Sequence, residues 1–131
     1  MNYKIEVIQD EPVVMVTLYK HYSFAVDDPV ATDEVRNILN KSNQPMFMLM
    51  DVTDLSLSLD DLIKSANRDA RGEQAIYHHP NLSELLVVTH SAMVQLAVKG
   101  IATITFGNVN AKAFGTVDEA LAYARDQKIS E

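Results

Sequence analysis

Pro45-Met46-Phe47-Met48-Leu49-Met50-Asp51-Val52-Thr53-Asp54 is the stretch whose reading decides the fold. Met46 to Met50 run without a polar interruption and end directly at an acid. A run this short and this uniformly apolar suits a strand covered on both faces, as in the middle of an α/β sheet. Pro45 precedes it, and Asp51 stands where the strand leaves the sheet. In open α/β sheets, ligand and regulatory sites gather outside such carboxyl ends.

Working outward, Tyr3 to Ile8 alternates and reads as a first strand. Gln9-Asp10-Glu11-Pro12 is turn chemistry, and Val13 to Tyr19 is a β-branched second strand. So short a connection makes the two an antiparallel pair. Asp27-Asp28-Pro29 supplies start signals for a helix over Val30 to Lys41, with Val35, Ile38 and Leu39 inward, and Ser42 to Pro45 ends it. After Asp54, Leu59, Leu62, Ile63, Ala66 and Ala70 form one apolar stripe, predicting a helix from Leu59 to Gln74 capped by Ser58. Glu84 to Thr89 is a further buried strand, and Ser91 caps a helix from Ala92 that Gly100 weakens or ends. Ile101 to Phe106 fits either more helix or an irregular strand. Val109 to Phe114 alternates as a last short strand, and Thr116-Val117-Asp118-Glu119 is a capping box that opens a final helix to about Gln127. The expectation is an α/β fold, a single domain over residues 1–131 with a mixed β-sheet and the order β-β-α-β-α-β-α-β-α.

Composition fits a globular chain: 131 residues, 47% hydrophobic, four Gly and four Pro. The chain has no Cys, which excludes disulfides, thiolate metal sites and cysteine nucleophiles and fits a reducing compartment. No apolar run approaches the ~20 residues of a membrane-spanning helix, and the opening residues lack a signal-peptide core. A cytoplasmic protein is expected. The net charge of −7 works against nucleic-acid binding, and the basic residues are scattered. Lys64, Arg68 and Arg71 fall on one helical face and read as a solvated row.

The element order, with Val13 to Tyr19 entering the sheet and Asp51-Val52-Thr53 closing the next strand, resembles the STAS fold of anti-sigma factor antagonists. More narrowly, it is similar to the SpoIIAA-like group, whose relatives include lipid-binding CRAL-TRIO-type domains. The ending Phe114-Gly115-Thr116-Val117-Asp118-Glu119-Ala120-Leu121-Ala122 resembles that group's last strand and helix. Antagonists of this type carry an Asp-Ser-Ser/Thr-Gly segment whose Ser is phosphorylated. Here the region reads Ser58-Leu59-Asp60-Asp61-Leu62, so acids stand near the phospho-acceptor positions and the glycine is missing. The resemblance implies a non-catalytic regulatory or binding module without that phospho-serine switch. Its partner surface would run over Asp54, Ser56, Ser58, Asp60 and Asp61.

Other chemistries compete with that reading. A small lipophilic-ligand carrier would use the Met-rich strand and a pocket between the second and third helices and the sheet. A receiver-like phospho-acceptor would combine Asp10, Glu11, Asp51, Thr89 and Lys112, but Val13 to Tyr19 reads as a strand where a receiver needs a helix. His78 and His79 read as a solvated loop pair rather than metal ligands, and no nucleophile-elbow glycines flank Ser91. No enzyme activity, metal or cofactor is expected. The oligomeric state stays open, with a C₂ homodimer through an exposed face as one option.

Overall fold

Four strands of the sheet run parallel: β2 (Val13–Leu18), β3 (Met46–Asp51), β4 (Leu82–Val88) and β5 (Ala111–Phe114). β1 (Tyr3–Val7) pairs antiparallel with β2, giving the order β1-β2-β3-β4-β5. The computed structural model describes residues 2–23, 25–55, 76–101 and 110–130. The expected helix Leu59 to Gln74 and the ambiguous segment after Ile101 lie outside the described residues.

β3 is the centre of the sheet, and its side chains split by the two-residue period of a strand. Met46 and Met48 join Val14, Val16, Leu85 and Val87 on one face. Phe47 and Leu49 join Val13, Leu86 and Val88 on the other. Burial of both sets explains why the run lacks alternation.

Helix placement follows from handedness. Right-handed crossovers that step in one direction along a sheet lay their helices on the same face. α1 (Asp27–Lys41) links β2 to β3, and α2 (Ala92–Ile101) links β4 to β5. Ala31, Val35 and Leu39 of α1 and Val94 and Val98 of α2 accordingly share the first cluster. α3 (Val117–Ser130) follows the last strand and is free of that constraint. It covers the second face, where Ala120 and Ala124, both small, let the helix approach Phe47 and Leu49 closely.

Some boundaries differ from the sequence reading for identifiable reasons. α1 begins at Asp27 rather than Val30. Pro29 falls in the first turn, where its missing N–H has no partner to lose. Ser23 Oγ accepts the Val26 N–H (3.1 Å), while Asp27 Oδ2 accepts the Ser23 N–H (2.8 Å) and an Asn2 Nδ2–H (3.1 Å). β4 starts at Leu82, and the adjoining Asn81 donates through Nδ2 to Leu39 O (2.8 Å) and Ser42 O (3.1 Å), closing the carboxyl end of α1. Two of the predicted caps are present, while Ser58 lies outside the described residues: Ser91 Oγ accepts from Val94 N–H (3.3 Å) and Thr116 Oγ1 from Glu119 N–H (3.1 Å). In the β1–β2 turn, Asp10 has φ 63°, the left-handed region that Asp tolerates better than most side chains.

Candidate functional site

The carboxyl ends of β3 and β4 lie side by side, with Asp51 in register with Val88. Just beyond them, Val52, Thr53, Leu55, Thr89, His90, Ser91 and Val94 line an open depression of about 370 Å³. Thr53, Thr89 and Ser91 among its polar groups are already engaged in local structure. Asp51 Oδ1 accepts from Thr53 N–H (3.0 Å) and Thr53 Oγ1–H (2.8 Å), an Asx-type turn that lets the chain leave the sheet. Thr89, buried, accepts the Ser91 N–H on Oγ1 (3.0 Å), and Ser91 in turn caps α2. Asp51 is therefore a strand-end turn residue, and Ser91 a cap.

Asp54, of the predicted surface, is exposed in the turn that closes with Leu55 N–H donating to Val52 O (3.1 Å). Ser56, Ser58, Asp60 and Asp61 lie outside the described residues. Among these five positions, only Asp54 has a described place, at the rim of the depression.

The receiver-like alternative fails on geometry. Asp10 and Glu11 precede β2, and the parallel register Val13↔Phe47, Thr17↔Asp51 sets them at the opposite end of the sheet from Asp51. Glu11 instead holds the Arg125 guanidinium, through Nε and Nη2. Lys112 pairs in register with Leu86, in mid-sheet, and its Nζ lies 5.7 Å from the Tyr123 ring centroid. The acid pair, the Asp and the Lys thus never converge, and no group of three metal-ligating side chains occurs among the described residues.

Among the described residues, the Met-rich strand borders a small void. About 20 Å³ is left between α1 and the sheet, lined by residues including Met48, Met50, Tyr22, Asp28 and Ile76. That is room for about one water, whereas pockets for small organic ligands run to several hundred Å³. Tyr22 OH donates to the Asp28 carboxylate at its edge, and both residues are buried.

The sequence reading missed a polar cluster on the second face. Glu84, 6% exposed, accepts a hydrogen bond from Tyr123 OH (2.6 Å), and Phe47 and Phe114 flank the phenol ring at centroid distances of 6.4 and 5.4 Å. Burial, then the bond to Glu84 and its charge, pushes Tyr123 up to about 12. An acid opening the run Leu85-Leu86-Val87-Val88 was the available signal. The hydrogen bond to Glu11 and its charge raise Arg125, against a smaller effect of burial, and burial followed by the Glu34 charge raises Tyr3. None of these three groups lines the strand-end depression.

One solved structure matches this arrangement along nearly all of its length. It is an uncharacterized protein of the DUF3478 family with a SpoIIAA-like fold, from Shewanella loihica PV-4. The two share 18% identity and a TM-score of 0.61 over 93% of this chain and 91% of that one. The chain has a SpoIIAA-like fold. An anti-sigma factor antagonist from Mycobacterium paratuberculosis aligns over 95% of both chains at 15% identity with a TM-score of 0.47, and the fold assignment rests on the first structure. No protein-family model and no curated protein sequence matches the chain. No helix among the described residues is long and apolar enough to cross a membrane.

Proposed function

We propose that this SpoIIAA-like chain is a non-catalytic regulatory or binding module of STAS type that docks a protein partner on the carboxyl-end rim of its sheet. The surface centres on Asp54 and continues over Ser56, Ser58, Asp60 and Asp61. One observation carries the reading: Asp51, Thr53, Thr89 and Ser91 at the strand-end depression serve turns and caps. Catalytic sites gather groups with perturbed titration in enclosed clefts. Here the depression is open, and the described groups with shifted titration, Tyr3, Tyr123 and Arg125, lie elsewhere in the fold. A wide rim of exposed side chains suits recognition of another protein's surface. Fixed acids at 60 and 61 would hold the negative charge that a phosphorylated serine supplies only transiently.

Photo-crosslinking in cells tests this directly. A photoreactive residue at Asp54 or at exposed His90 should yield one discrete protein adduct, and the same residue at Gln9, at the opposite end of the sheet, should not. Equal labelling from all three positions, or none from any, refutes the proposed surface.

A further inference from the structure

The turn Ile76–His78 and the residues after it join three elements at the amino end of the sheet. Asn81 caps α1 through its side chain, its carbonyl accepts the Met46 N–H (2.7 Å) at the start of β3, and the His79 carbonyl accepts the Leu82 N–H (2.9 Å) at the start of β4. His79 holds this junction together through both ring nitrogens. Nδ1 lies 3.0 Å from the Asn81 backbone nitrogen, and Nε2 lies 2.6 Å from Asn40 Oδ1.

These contacts select one form of the ring. A backbone N–H can only donate, so Nδ1 carries no proton. The neutral ring then carries its proton on Nε2, aimed at an oxygen that can only accept. We infer that His79 is a proton-sensitive lock on the α1–β3–β4 junction, closed by the neutral Nε2–H tautomer and released when the ring takes a second proton. An imidazolium would set one N–H against another at Asn81 and break the bond that fixes the turn.

Among the described residues no carboxylate lies within ion-pair distance of His79. Among the described residues, Lys41 in the last turn of α1 and exposed His78 adjoin Asn40 and His79 along the chain. Lys41 is of like sign to an imidazolium. The carbonyl end of α1 favours a cation, but Leu39 O and Ser42 O already accept from Asn81. Glu84, the first acid along β4, is on the other face of the sheet with Tyr123.

The test compares the full chain with His79→Asn and His78→Asn by urea unfolding at pH 7.5 and pH 5.5. In His79→Asn the new amide oxygen keeps an acceptor for the turn and cannot be protonated. Between the two pH values, wild type should lose about fivefold more of its folded-to-unfolded ratio than His79→Asn, the part of one hydrogen bond's worth that linkage exposes over this window. His78→Asn should follow wild type. Carboxylate titration is common to all three proteins and cancels in the comparison. Equal pH dependence of wild type and His79→Asn overturns the inference. Should His79→Asn fail to fold, nitrogen NMR of the wild-type ring at pH 7.5 decides instead: a proton on Nε2 supports the lock, and a proton on Nδ1 overturns it.

Discussion

Replacing Tyr123 by Phe removes a single hydroxyl from the packing of α3 on the sheet and leaves its ring between Phe47 and Phe114. The loss falls on Glu84, which stays buried under α3 without its 2.6 Å donor. A hydrogen bond to a charged group contributes about 1.5–3 kcal/mol, and stranding a buried acceptor puts the change toward the upper part of that range. We expect Tyr123→Phe to cost about 2 kcal/mol in urea unfolding at pH 7, with an unchanged denaturant slope. Glu84→Leu combined with Tyr123→Phe should cost clearly less than the two single changes added, with about 1.5 kcal/mol of coupling. Additive losses, or a Tyr123→Phe protein within about 0.5 kcal/mol of wild type, would refute the latch.

The same bond sets a pH dependence whose sign follows from linkage. Tyr123 is raised from 10.0 in the unfolded reference to about 12 in the fold, so its contribution is complete below pH 10 and disappears as pH rises from 10 toward 12. The full shift corresponds to nearly ~3 kcal/mol, which solvent screening of a partly exposed ring reduces to about 1 kcal/mol. Tyr123→Phe should flatten stability across that window by the same amount.

Asn81→Ala removes both side-chain bonds that close α1 and should cost about 1–3 kcal/mol by thermal or urea unfolding, against under ~0.5 kcal/mol for exposed Asn37→Ala. Asp10 sits at φ 63°, so Asp10→Gly should match or exceed wild-type stability while Asp10→Val loses about 1–2 kcal/mol. Leu49 is fully buried at the centre of the sheet, so Leu49→Ala should lose about 3–4 kcal/mol; Val30→Ala, at a residue 53% exposed, should fall within ~0.5 kcal/mol.

The parts of this fold legible in the sequence are those fixed by neighbours. The Met46–Met50 run announces a strand covered twice, Gln9 to Pro12 announces the hairpin, and Ser91 and Thr116 announce helices that start at the next residue. What stays hidden depends on partners far along the chain. Asn81 reads as a loop residue because its partners Leu39 and Ser42 stand 42 and 39 positions away. Glu84 reads as a strand opening because Tyr123 is 39 positions further on. Asp27 reads as preceding α1 because Pro29 resembles a boundary, although a first helical turn accepts it. At the candidate site, Asp51 is legible as a strand end, and Asp54 stands on an exposed turn. The receiver-like set looks consistent in linear order because sequence spacing does not record which end of a strand a residue occupies.

The strictly sequential strand order has a consequence for how the chain is made. During synthesis each described strand emerges to find its sheet neighbour already present, so pairing can advance one edge at a time behind the ribosome. The second face follows a different schedule. Among the described residues, no helix packs on Val13, Phe47, Leu49 and Leu86 until Val117–Ser130 has been translated. Arg125 then reaches back across 114 positions to Glu11, beside the first hairpin. A nascent chain stalled short of these residues would hold a sheet whose second apolar cluster lacks the helix that packs on it, a ready substrate for chaperones, and the emergence of α3 is what covers it.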